Sequence, residues 1–85
     1  MKIEISIIYN PMTAAQLKDR EVRTIESITF SPYIVRLLEM GVMPGKSIQL
    51  FKKAPLRGPL ALLVDDHFIA LREEEADLIN LTALS

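Results

Sequence analysis

Asp65-Asp66-His67 is the one run in this chain whose side chains have metal-ligand chemistry. Neighbouring residues in a strand or turn point in different directions, so the three do not easily converge on one ion. That geometry favours a polar hairpin turn. The alternative is a metal held across a two-fold axis, with each chain supplying a His and an Asp. Glu73-Glu74-Glu75 is a second acidic cluster. Successive helical residues fan out by about 100°, so these acids read as a solvated face near a positive helix N-terminus rather than one pocket.

The other chemistry-bearing stretch is basic: Lys52-Lys53-Ala54-Pro55-Leu56-Arg57-Gly58-Pro59. Two prolines stiffen it, and Leu56 falls near its tip, framed by three cations. A lone exposed Leu is ordinary. On a rigid cationic loop it suits docking of an acidic, partly apolar partner, and the plain-loop reading stands beside that one. No cysteine is present, which excludes disulfides, thiolate zinc sites and a cysteine nucleophile. His67 is the only histidine, so no two-histidine metal motif exists within the chain. Gly41, Gly45 and Gly58 fit neither common nucleotide-binding pattern, and no nucleophile elbow occurs.

Short strands must position these residues. Ile3 to Tyr9, Val22 to Phe30 and Ile48 to Lys53 carry strand patterns, the second with a broken alternation that suggests a bulge. Ile48 and Leu50 fall on one side of their strand, Gln49 and Lys53 on the other. Leu60 to Val64 and His67 to Leu71 form a pair about Asp65-Asp66, and Leu78 to Leu81 is placed to close the sheet. Thr13 can cap a short turn over Ala14 to Leu17. One helix is expected over about 31–40. Ser31 stands at its N-cap, Pro32 at its first position, Ile34, Leu37 and Leu38 on its core face, and Gly41 at its left-handed end. Arg36 and Glu39 are spaced to pair on its outer face. Met40 and Met43 either fill gaps or form an apolar patch. Val42-Met43-Pro44-Gly45 reads as a type II turn, and Glu73 to Asp77 as a short C-terminal helical turn. Many short strands, tight turns and one small helix predict a mainly β fold, a compact and strongly bent β-barrel.

Eighty-five residues make a single domain, 1–85, with 1–10 as an added N-terminal strand and a core over 14–81. The net charge of -1 argues against nucleic-acid binding driven by bulk charge. The charge is uneven. Residues 1–45 balance, 46–57 hold four cations and no acid, and 58–85 hold six acids against Arg72 alone. No apolar run approaches the roughly 20 residues that cross a bilayer, and no secretory signal pattern is visible. A cytoplasmic chain, not membrane-inserted, is the expectation.

The run Arg36-Leu37-Leu38-Glu39-Met40-Gly41-Val42-Met43-Pro44-Gly45 resembles the signature of the FeoA family, the ferrous-iron transport proteins A. Ala54-Pro55-Leu56 with Gly58-Pro59-Leu60 is similar to that family's loop after its third strand. Ile69-Ala70-Leu71-Arg72 with Glu75-Ala76 is similar to its closing segment. The likeness spans about residues 14–81. It implies an SH3-like barrel with an inserted helix and no cofactor. It also implies a cytoplasmic accessory role in bacterial ferrous-iron transport, with a FeoB-like membrane GTPase transporter as partner. The same domain also ends metal-dependent repressors of the diphtheria-toxin-repressor type. With no room here for a preceding helix-turn-helix, a stand-alone accessory protein is expected.

The contact surface on this reading combines the helix end, Arg36, Glu39 and Met40, with the loop residues Lys52, Lys53, Leu56 and Arg57. The rival reading is an Fe2+ or Mn2+ sensor or carrier using Asp65, Asp66 and His67, with a homodimer as one form of it, since oxygen and imidazole ligands suit those ions. A weaker third reading puts Arg57 or Arg36 into a GTPase site as an arginine finger. The family commonly has a glycine near Asp19-Arg20 and another in the hairpin filled here by Asp65-Asp66, which predicts turns of altered shape.

Overall fold

The computed structural model describes residues 12–83. The expected N-terminal strand over 1–10 lies outside those residues. Five strands, β1 (Val22–Ile28), β2 (Ser47–Lys53), β3 (Leu60–Val64), β4 (His67–Leu71) and β5 (Ile79–Leu81), form one antiparallel sheet in the order β4-β3-β2-β1-β5. Helix α1 (Ile34–Glu39) joins β1 to β2, and α2 (Glu73–Ala76) joins β4 to β5. The mainly β, SH3-like architecture expected from the sequence is present. The sheet stays open, with β4 and β5 as its two edges among the described residues.

Two irregularities bend it. β1 pairs through Val22–Thr24 with β2 and through Ile25–Ile28 with β5, its register shifting between Ile25 and Ser27. β2 shifts register against β3 between Leu50 and Lys52. A bulge adds a residue to one strand and sharpens its twist. These two let a five-stranded sheet wrap a single core. Alternation fills that core as expected: Ile48 and Leu50 from β2, then Leu60, Leu62 and Val64 from β3, are buried.

Helix α1 is shorter than 31–40. Its first residue is Ile34, and Ser31 and Pro32 lie in the turn before it, where the Ser31 hydroxyl accepts the Tyr33 N–H at 3.1 Å. Only Leu37 of the expected core face is fully buried. Ile34 is half-buried, and Leu38 is 44% exposed. Six helical residues over a small core leave room for one side chain to point straight in. The C-terminus is as expected. Gly41 has φ +88°, its N–H bonds the Leu38 carbonyl, and the Val42 N–H bonds the Leu37 carbonyl. This is the Schellman arrangement, with buried Leu37 and Val42 as its apolar pair. The following turn runs from Met43 to Lys46, one residue later than expected, with Gly45 at φ +93° and the Lys46 N–H on the Met43 carbonyl.

Side-chain hydrogen bonds hold the rest. The Thr13 N–H bonds Gln16 Oε1 at 2.9 Å and fixes a 3-10 turn over Ala14–Gln16. Half-buried Arg23 grips Glu21 through Nε and Nη2 and reaches the Thr82 and Ala83 carbonyls, tying the segment after β5 to β1. The Lys18 N–H, foremost, and Arg23 hold the Glu21 carboxyl below its usual range. Arg20 and Asp65 keep left-handed backbone without being glycine, at φ 68° and 53°.

Candidate docking surface

The β2–β3 connection is a strained turn. Leu56 and Arg57 both lie in the left-handed region, at φ 58° and 60°, and the Gly58 N–H donates to the Pro55 carbonyl at 3.1 Å. This is the type I′ pattern, in which Asn and Gly are the favoured central residues. Each non-glycine residue held there costs about 1–2 kcal/mol. Ala54 and Pro59 close the loop at 3.0 Å, and a Cβ on Gly58 would stand 2.6 Å from that of Ala54. The strain brings no burial to Leu56, which is 98% exposed.

The cations around Leu56 are not equivalent. Lys53 Nζ and Arg57 Nε both approach the Glu73 carboxylate, at 3.9 and 3.7 Å. Exposed pairs at these distances contribute at most a fraction of a kcal/mol. They orient the loop toward α2 without neutralising the charge of Lys52. Leu56, Arg57, Lys52 and Lys53 are all exposed, as a contact surface requires.

At the helix end the expected Arg36–Glu39 pair is replaced. Arg36 Nη1 instead meets Glu75 Oε2 at 3.4 Å, and Glu39 remains exposed. Met40 is half-buried against the core, so it supports the surface more than it forms it. The acidic triple is likewise not uniformly solvated. Glu75 is 3% exposed, and its Oε1 accepts the Arg72 N–H at 2.9 Å, closing the first turn of α2. Glu73 reaches the basic loop and Glu75 reaches α1. The four-residue helix α2 thus links the two parts of the expected surface.

Asp65, Asp66 and His67 diverge. Asp65 Oδ1 accepts the Ser47 N–H at 2.9 Å, and Lys46 Nζ lies 3.7 Å from Oδ2. The Ser47 N–H, above all, holds that carboxyl below the usual range. His67 Nε2 donates to the Met40 carbonyl at 2.9 Å, while Asp66 stays in solvent, 3.7 Å from His67 Nδ1. Among the described residues no group of three or more His, Asp or Glu side chains is arranged to hold a metal. No helix among them is long and apolar enough to cross a membrane.

Sequence reasoning missed an aromatic patch on the outer face of β2 and β4. Phe51 and Phe68 meet edge to face with ring centroids 5.2 Å apart, and the Arg20 guanidinium lies 4.5 Å over Phe51. Period-2 alternation places Phe68 outward, but the bulge after Leu50 obscures where Phe51 points.

An open, strongly bent five-stranded sheet with an inserted helix defines an SH3-like domain. Residues 12–83 match the FeoA domain, and the chain belongs to that family. It is 40% identical over 50 residues to the Fe(2+) transport protein A/Fe(2+) transporter FeoB fusion protein of Porphyromonas gingivalis, a match covering 59% of this chain and only 6% of that one. The FeoA-like protein of Clostridium acetobutylicum superposes with a TM-score of 0.80 at 23% identity, over 92% of both chains. The FeoA of Stenotrophomonas maltophilia, a prokaryotic SH3 domain protein solved with zinc, gives 0.75 at 27% identity, over 85% of this chain and 91% of that one.

Proposed function

We propose that this chain is an accessory protein of bacterial ferrous-iron transport that docks on the cytoplasmic side of a FeoB-like membrane GTPase transporter. It acts by recognition and catalyses no reaction of its own. The observation that carries this reading is the Porphyromonas gingivalis relative, in which transport protein A and FeoB share one polypeptide. A covalent fusion keeps two partners at high effective concentration, as separate chains that work together must achieve by affinity. The contact surface is the Leu56 tip with Lys52, Lys53 and Arg57, flanked by Arg36, Glu39 and Met40 at the end of α1. Leu56 enters an apolar pocket on the partner, and the cations match an acidic rim around it.

The test is binding of the tagged chain to purified, detergent-solubilised FeoB from the same organism, with Leu56→Asp beside the wild type. Burying one Leu is worth about 1.5–3 kcal/mol, so the variant should bind roughly 10- to 100-fold more weakly. Its unfolding temperature should match the wild type, because Leu56 touches no core. Equal binding by both proteins moves the contact away from this loop. No binding by a folded wild type removes the reading.

A further inference from the structure

Strand β4 has one side without a strand partner. Val64 and His67 flank a two-residue turn and therefore form a hydrogen-bonded pair, and the pattern recurs at Leu62–Ile69 and Leu60–Leu71. Phe68 and Ala70 consequently turn their N–H and C=O groups away from β3, and no strand meets them among the described residues. Both residues are exposed, Phe68 by 60%. Native edges are commonly blunted by a lysine, a proline or a bulge, and His67–Leu71 contains none of these.

We propose that this edge pairs with the same edge of a second copy, antiparallel, about a two-fold axis through Ile69. Phe68 then faces Ala70 of the second copy, and Ala70 faces its Phe68. Each such pair exchanges two main-chain hydrogen bonds, and the large ring lies beside the small methyl group. One step outward, His67 faces Leu71. One step further, Asp66 faces Arg72 of the second copy, and the symmetry repeats that charge pair at the other end.

The charges select this register. Only shifts by two residues keep outward-facing groups opposite each other. A shift one way places Arg72 against Val64 and Phe68 against Phe68. A shift the other way places Asp66 against Glu74, which is repulsive. The side chains required are available. Asp66 is fully in solvent, and Arg72 is exposed and has no ion pair among the described residues. Five residues per copy make an interface at the small end of the specific range, so association is weak and concentration-dependent. The Leu56 loop lies beyond Leu60, outside the paired stretch.

Sedimentation equilibrium of the full chain, over about a hundredfold range of concentration, tests the proposal. Asp66→Lys and Arg72→Asp should each weaken the dimer several-fold by bringing like charges together. The double variant, which restores opposite charges in every pair, should recover it. Arg72→Asp leaves α2 capped, because Asp is a preferred N-cap residue. Ala70→Pro deletes an outward N–H, which an edge strand tolerates, and should abolish the dimer while the heat-unfolding transition persists. A chain that stays monomeric throughout overturns the proposal. So does a dimer untouched by Ala70→Pro, or single charge variants that the double does not rescue.

Discussion

The two hairpin turns that flank β3 use the same strained backbone for opposite ends. At the β3–β4 tip, Asp65 sits at φ 53° and its carboxylate is bonded to the Ser47 main chain, while His67 reaches the Met40 carbonyl. Asp65 and His67 thus tie the hairpin to β2 and to the end of α1, while Asp66 stays in solvent. At the β2–β3 loop, Leu56 and Arg57 are held left-handed, and the side chain so displayed contacts nothing. The first turn recovers its strain through bonds to the Ser47 main chain and the Met40 carbonyl. At the second the Leu56 side chain recovers none, and the proposed docking accounts for that difference.

The most damaging change should be at the anchored end. Gly41 combines φ +88° with a space in which a Cβ would stand 2.9 Å from His67 Cε1. Gly41→Ala should lose about 2 kcal/mol through left-handed strain and a displaced imidazole. Chemical unfolding reads this directly, and an unchanged midpoint would mean that the His67–Met40 link carries little.

Replacing Leu56-Arg57 with Asn-Gly sharpens the contrast from the other side. These residues suit the type I′ turn, so the double variant should be more stable by about 1–2 kcal/mol. It should also bind the transporter more weakly. A variant that is more stable and still binds would refute the idea that the strain serves display.

Asp65→Asn separates charge from hydrogen bonding. The Asp65 carboxyl is held below the usual range in the folded chain, chiefly by the Ser47 N–H. Its stabilising effect is therefore complete above the unfolded value near pH 4 and fades as pH falls through the lowered folded value. The Asn variant keeps an acceptor for the Ser47 N–H and should stay close to wild type at neutral pH. Its stability should fall less steeply below about pH 4, a difference that acid titration followed by circular dichroism would register.

The smallest effect belongs to Glu73→Gln, which removes the negative charge that Lys53 and Arg57 share. Stability should change by less than about 0.5 kcal/mol. Binding to FeoB should hold or improve as the loop's positive field grows. A large loss of stability would show these pairs to be structural after all.

Much of this was legible in the chain itself. The β3–β4 hairpin, the alternation of Ile48 and Leu50, the left-handed Gly41 and the exposed Leu56 all follow from local rules of turn chemistry and period. The aromatic patch was not legible, because the bulge in β2 breaks the period that would place Phe51. Glu75 was misread as solvated, because nothing in three consecutive acids says which one faces Arg36 and the Arg72 main chain. Leu38 was misread as core, because helical spacing identifies an apolar face without saying how much core is available to cover it.

The sequence by itself determined most of the elements, though not all their ends, since turns, caps and alternation depend on residues a few positions apart. It also determined the family, through three short motifs in order. Only the tertiary structure decided which charges meet. Arg36 with Glu75, Arg57 with Glu73 and His67 with Met40 join residues 16 to 39 positions apart. Such pairs depend on how the two bulges bend the sheet, and that bend is a property of the assembled strands rather than of any one of them.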